Sequence, residues 1–297
     1  MALFGSGKAR QALSTATMRA VESYRDPGER LYDDRVAIAL LPPVWQAFVR
    51  PLRFAVVRKP TLWYRERQFP GVIGNVICRT RFIDDVVRRE LESGAQQAVV
   101  LGAGFDTRAY RIPALERVDV FEVDHPSVQE LKERRLRSAL GSVPDHVRLV
   151  AIDFDEQELL PSLESAGFDV DERTVFVWEG VTQYITEDAI RSTLEVVSSC
   201  AEGSTVVFTY IEEGIVDGTD RTAIDRKILA MADRSDSPWI SGFDPDRLES
   251  SLAEFGLRLV EDVGAAAYRE RYLEPIGRDL NCYGGERAAV ATIARAG

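Results

Sequence analysis

Three acids and two glycines fall where successive apolar runs end, a spacing that lets them share one crevice. The first run leads into Gly102-Ala103-Gly104-Phe105-Asp106-Thr107-Arg108. Glycine suits such a turn because the chain bends sharply and a ligand must approach the backbone with no Cβ in the way. The next run, Val120-Phe121-Glu122-Val123-Asp124, ends in acid 20 residues after Gly104. A carboxylate there can accept hydrogen bonds from both hydroxyls of a ribose; the competing role for Asp124 is N-cap of a helix whose first turn Pro126 would occupy. The third run closes on Asp153-Phe154, an acid that can accept from an adenine amino group beside a ring that can pack on the base. The fourth closes on Trp178-Glu179-Gly180, which sets Glu179 toward a cationic end of the same ligand.

The identity of that ligand turns on two positions. A dinucleotide site favours a third glycine, where the helix N-terminus receives the pyrophosphate. Thr107 stands there instead, and Asp106 brings negative charge to the same spot. S-adenosylmethionine carries no phosphate, and its ammonium, carboxylate and sulfonium suit an acidic turn better. Methyl transfer from a sulfonium is an in-line displacement that needs alignment and desolvation more than acid–base machinery. His125 and His146 are the two histidines in the chain. Neither is placed as a base for an acceptor, which tilts the reading toward an acceptor already ionised at neutral pH, a carboxylate. Tyr184 is a candidate for positioning it, and Trp239 for touching an aromatic acceptor. No metal ligands are grouped. Methyl transfer to a phenol or other hydroxyl, a nicotinamide-dependent oxidoreductase and a non-catalytic nucleoside sensor stay as rivals.

These residues need a parallel sheet to bring them together. From about residue 97, short β-rich runs at 98–101, 118–123, 147–152, 174–178, 205–210, 257–260 and 288–293 alternate with helical patterns. Near-continuous apolar strands of this kind are covered on both faces by crossover helices. Thr186 is a plausible N-cap for a helix presenting Ile190, Leu194 and Val197 and closed by Gly203; 246–255 aligns Leu248, Leu252 and Phe255 before Gly256. Residues 1–90 show helical patterns without a convincing strand, and 212–243 form an insertion with Ile224, Ile228 and Met231 at helical spacing. The expected organisation is one domain over 1–297: a helical cap at 1–90, a core at 91–211 and 244–297, and a lid at 212–243.

Composition narrows the partners. The 297 residues carry Lys+Arg 37 against Asp+Glu 48, a net charge of −11. Such a surface repels nucleic acid and anionic lipid unless it carries a local basic patch, and no basic run long enough to make one stands out. Cys78, Cys200 and Cys282 are widely separated and suggest neither zinc nor a disulfide framework. With no continuous apolar leader and no membrane-length span, a cytoplasmic location with a small-molecule partner is expected. Nothing fixes the oligomeric state.

LGAGFDTRAYR, FEVDHP, the DF pair and WEGVTQYI together resemble the leucine carboxyl methyltransferase family of class I S-adenosylmethionine-dependent methyltransferases. Cys78-Arg79-Thr80-Arg81-Phe82-Ile83-Asp84 is similar to the family's Arg-containing segment. The likeness runs from about Thr17 to Ala291 and is sharpest between Arg79 and Tyr184. It implies a doubly wound, seven-stranded Rossmann-like sheet with the last strand antiparallel. It also implies that Arg79 holds the cofactor's methionine carboxylate, that Gly102 and Gly104 line the turn and that Asp124 binds ribose. Asp153 and Phe154 would meet adenine, and Glu179 would complete the pocket. The segment 17–34, with Arg19, Glu22 and Asp33, is similar to a bacterial branch that methylates carboxylates of polyketide-like natural products in secondary metabolism.

Overall fold

The computed structural model describes residues 7–153, 157–234 and 237–294. Five helices come first: α1 (Gly7–Glu22), α2 (Arg35–Leu40), α3 (Pro43–Val49), α4 (Ala55–Gln68) and α5 (Val72–Glu92). The alternating part then runs β1 (Gln97–Leu101), α6 (Arg108–Arg111), β2 (Asp119–Asp124), α7 (Pro126–Leu140), β3 (Val147–Ala151), α8 (Leu159–Ser165), β4 (Thr174–Trp178), α9 (Glu187–Ser199) and β5 (Thr205–Ile211). The insertion holds α10 (Glu213–Asp217) and α11 (Ala223–Arg234), and the chain closes with α12 (Leu248–Ala253), β6 (Leu257–Val263), α13 (Ala265–Tyr268) and β7 (Glu286–Ile293).

The strands form one sheet in the order β3-β2-β1-β4-β5-β7-β6. Pairs among β1 to β5 are parallel, and β7 runs antiparallel between β5 and β6, as the resemblance implies. Strand order reverses between β1 and β4, the switch point where the carboxyl ends of the strands leave a crevice for a ligand. Register aligns those ends: Leu101 sits beside Val123, Val123 beside Val150, and Val100 beside Val177.

Both faces are apolar because both are covered. Alternate residues of one strand serve opposite cores, as period-two side chains require. Ala98 and Val100 join Val175, Val177, Ile77, Ile83 and Val86 of one cluster. Val99 and Leu101 join Phe121, Phe176, Ile190, Leu194 and Val197 of the other. Each fully buried side chain of this size contributes about 1.5–3 kcal/mol. A third cluster, including Leu13, Ala16, Ala20, Leu40, Phe105 and Leu136, fastens α1 and α2 over the start of the sheet.

Several local expectations shift. Thr186 does cap α9, its Oγ1 accepting from the Ala189 N–H at 3.2 Å, but the helix ends at Ser199 and Gly203 serves the following turn. The helix expected over 246–255 is confined to Leu248–Ala253. The cysteines are not all apart: Cys78 Sγ lies 3.9 Å from Cys282 Sγ, both as free thiols.

Candidate functional site

The turn after β1 uses both glycines in the left-handed region, Gly102 at φ +64° and Gly104 at φ +45°. A Cβ at Gly102 would run into the Val181 side chain, and one at Gly104 would lie 3.1 Å from the Ala12 Cβ. The Gly104 N–H donates to Asp124 Oδ2 at 2.6 Å, and the His125 N–H to Asp124 Oδ1 at 2.7 Å. Asp124 is therefore fixed against the glycine turn and is not the N-cap of α7; His125 takes that place, its ring nitrogen accepting from the Ser127 N–H, with Pro126 in the first turn. Burial pushes the Asp124 carboxyl above its ordinary pKa, and the two N–H groups only partly offset it.

Behind the turn lies a buried ionic network. Arg108 is 1% exposed and reaches Asp84 at 2.9 Å, Glu179 at 2.8 Å and Asp106. Arg79 donates to Glu179 at 2.9 Å and pairs with Glu286, which also accepts from Asn75. Arg111 donates to Asp84 at 2.8 Å, and Arg19 to Asp34 at 3.0 Å, joining α1 to the same array. Five carboxylates face these four guanidiniums, and Arg88 reaches Asp84 at 3.9 Å as a fifth, so the formal charges balance. Burial alone would neutralise Glu179, but Arg108 and Arg79 outweigh it and hold its pKa below the usual carboxylate range. Asp84 is lowered in the same way, its burial outweighed by Arg111 and Arg108. Glu286 goes the other way: burial raises it, and Arg79 does not fully compensate.

One sequence expectation changes here. Asp106 does not hold a free charge at the mouth of the turn; it is buried and spends both oxygens on the backbone and side chain of Arg108. Arg79 is held in place by Glu179 and Glu286.

A cleft of about 1420 Å³ opens over the network and the strand ends. Arg79, Gly102, Gly104, Asp124, Asp153, Glu179 and Tyr184 all line it. Asp153 has its carboxylate 3.8 Å from His125 Nε2. Phe154 lies outside the described residues. At the other end, Trp239 Nε1–H donates to the Tyr184 hydroxyl at 3.3 Å, and burial raises the Tyr184 pKa, keeping it a neutral phenol. Met18, Val72, Val76, Ile228 and Met231 give that end an apolar wall from α1, α5 and α11. His146 is elsewhere, its ring against the Ala109 carbonyl at 3.0 Å.

Sequence reasoning assigned no role to Glu286, Asn75, Asp34 or Asp84. Glu286 had a faint signal, an acid opening the apolar run of β7 after Gly284-Gly285; Asp84 stood in the quoted Arg79 segment. Arg108 was visible only as part of the glycine block.

Residues 12–198 match the family model described as leucine carboxyl methyltransferase. A Bacillus subtilis protein named "Putative S-adenosyl-L-methionine-dependent methyltransferase YktD" is 34% identical over 187 residues, covering 62% of this chain and 61% of that relative. A Streptomyces coelicolor protein of the same description is 30% identical over 245 residues, covering 80% of this chain and 82% of its own. Among solved structures, a Thermobifida fusca protein described as a methyltransferase superposes with TM-score 0.55 at 16% identity over 86% of this chain and 92% of its own. A DUF574 family protein from Streptomyces avermitilis gives 0.53 at 17% identity, over 77% and 87%. These last two share the fold.

Proposed function

The chain belongs to the leucine carboxyl methyltransferase family of S-adenosylmethionine-dependent methyltransferases, and on that premise we propose that its acceptor is a carboxylate of a small, polyketide-like molecule of secondary metabolism. The observation that carries the reading is the convergence of the glycine turn, Asp124 and the Glu179 network on one cleft at the strand ends. The residues present fit the donor: a cradle with no Cβ beside Asp124, and the Glu179 carboxylate at the wall of the cleft for a molecule of net charge +1.

When bound, S-adenosylmethionine supplies an electrophilic methyl group on its sulfonium. Gly102 and Gly104 would leave the backbone open to it, Asp124 would accept from the ribose hydroxyls, and Asp153 would meet adenine. Glu179 would face the cationic end, and Arg79, held by two acids, would take the carboxylate. The apolar wall and Trp239 exclude water from the acceptor end, where desolvation strengthens a carboxylate nucleophile. Tyr184 stays protonated and positions the acceptor as a hydrogen-bond donor; it is not a base. A carboxylate needs none, being ionised already.

Calorimetry with S-adenosylhomocysteine and with NAD tests the donor site: the first should bind and the second should not. Incubation with methyl-labelled S-adenosylmethionine and a panel of aromatic acids and phenols tests the acceptor. A labelled product cleaved by mild alkali is the expected ester. Label that survives alkali would move the acceptor to a hydroxyl while leaving the donor reading intact.

A further inference from the structure

We propose that α3, α4 and the turn between them form a docking surface for an anionic phospholipid membrane. Residues 43–68 contain six of the chain's cations (Arg50, Arg53, Arg58, Lys59, Arg65 and Arg67) against one acid, Glu66, a segment of +5 in a chain of −11. The folded chain sharpens this. Glu66 is turned inward to the Gly71 N–H at 2.9 Å and Asn281 at 3.2 Å. Arg58, the single buried residue of α4, is an anchor on the carbonyls of Tyr24, Leu52 and Arg53. Among the described residues, the other five cations form no ion pair with a carboxylate.

The same segment exposes apolar side chains out of proportion to its length. Among the described residues, seven of the twelve exposed large hydrophobics lie in it, including Phe48 at 75%, Val56 at 82%, Trp63 at 60% and Tyr64 at 58%. A helix of 14 residues that buries one side chain gains almost nothing from its own core, so its apolar surface is unpartnered within the chain. Beside it, a hollow of about 690 Å³ is lined by Arg35, Arg50, Arg53 and Arg135 and, among the described residues, by no acid. Arg35 is paired with Asp33 and Arg135 donates to the carbonyls of Ala39, Leu40 and Leu41, which leaves Arg50 and Arg53 as the guanidiniums that suit a phosphate headgroup.

The charge pattern selects the occupant. A two-fold contact between copies of the chain would set +5 against +5. A lipid surface takes aromatic tips on any side of a helix, seats Trp and Tyr at headgroup level and pairs cations with phosphates. Arg53 stacked on Phe54 at 4.6 Å and Arg67 on Trp63 at 4.8 Å already combine the two kinds of contact. The negative remainder of the molecule does not prevent approach, since its field fades beyond about 8 Å in physiological salt.

Co-sedimentation with vesicles tests this, comparing pure phosphatidylcholine with phosphatidylcholine containing phosphatidylglycerol. The expected result is binding to the anionic vesicles alone, weakened by salt and by about fivefold for each cation removed in Arg53→Gln and Lys59→Gln. Phe48→Ala with Trp63→Ala should weaken it further, while S-adenosylhomocysteine binding stays unchanged in all variants. Absence of vesicle binding overturns the proposal, as does binding that both sets of variants leave intact. A dimer in sedimentation equilibrium that Trp63→Ala dissolves, or retention on polyglutamate without vesicle binding, would assign the face to a second copy or an acidic protein and overturn it too.

Discussion

Asp124 accepts two backbone N–H groups and is nevertheless pushed by burial toward its protonated form, which ties its use as an acceptor to pH. Only the carboxylate can accept from both ribose hydroxyls, so donor affinity should fall as pH drops through a pKa above the ordinary Asp value. Calorimetric titration of S-adenosylhomocysteine from neutral pH downward should show that acid limb. Asp124→Asn should bind about 2 kcal/mol more weakly, roughly thirtyfold, and lose the limb. Glu179 makes a different prediction because its charge, not its geometry, is what the donor meets. Glu179→Gln removes one negative charge from the wall of the cleft, and S-adenosylmethionine carries +1 whereas S-adenosylhomocysteine carries none. The variant should therefore lose on the order of tenfold more affinity for the methylated donor than for the product. Equal losses for the two ligands would show that Glu179 acts through packing alone. Asp124 and Glu179 were legible in the sequence because each ends an apolar strand whose direction is set by the parallel alternation. Glu286 was not, because the antiparallel insertion of β7 places its first residue, not its last, at the site. Nor was the fate of Arg79, since pairing between elements distant in sequence leaves no local pattern.

At the scale of elements, the strand–turn–helix unit after β1 depends on space that glycine alone provides. Gly102→Ala carries a left-handed backbone cost of about 1–2 kcal/mol and also drives its Cβ into Val181. Urea unfolding should show the single change as destabilising, and Val181→Ala should recover the steric part but not the backbone part in a double-mutant cycle. Full recovery would mean that the φ value contributes nothing. The strands and the α9 cap were readable because propensity, periodicity and the capping residue agree there. Where helices stop was less so: α9 ends four residues before Gly203, since β5 needs that glycine for its own entry. Arg108 links α6, α5 and β4 through three acids, and Arg108→Met should cost about 3–5 kcal/mol at pH 7 by leaving buried charges unpaired. Asp84, Asp106 and Glu179 all have lowered pKa values, so their contribution is present above the ordinary carboxylate pKa of about 4 and fades as pH falls below it. The gap in stability between wild type and variant should therefore narrow in acid.

Over the whole molecule, the site is closed by segments from opposite ends of the chain. Glu22, at the end of α1, is 2% exposed and accepts from the Leu31 N–H at 3.0 Å and from Arg278 at 2.6 and 2.9 Å. Arg278 lies between α13 and β7, so this one pair ties the N-terminal helices to the loop that also meets α5 at Gly71, where the Tyr283 N–H donates to the Gly71 carbonyl at 2.9 Å. The same α1 carries Arg19, whose bond to Asp34 extends the network beneath the cleft, and Met18, which lines the acceptor end. Arg278→Ala leaves the buried Glu22 with Arg25, 3.4 Å away, as its remaining cation, and the whole fold should lose about 1–3 kcal/mol in urea unfolding. The specific consequence is positional. Hydrogen exchange should rise most in α1 and in residues 277–285, while β1 and β4 keep their protection, because the sheet does not rest on this pair. Donor affinity should fall modestly, through Arg19, and turnover with a bulky acid should fall more, through the loosened wall at Met18. Glu22→Gln with Arg278→Met, which removes both charges together, should restore most of the stability and the exchange protection. If the double variant stays as unstable as the single one, the pair is not what joins the two ends, and the shared cluster around Phe105 and Leu136 must hold the cap by itself.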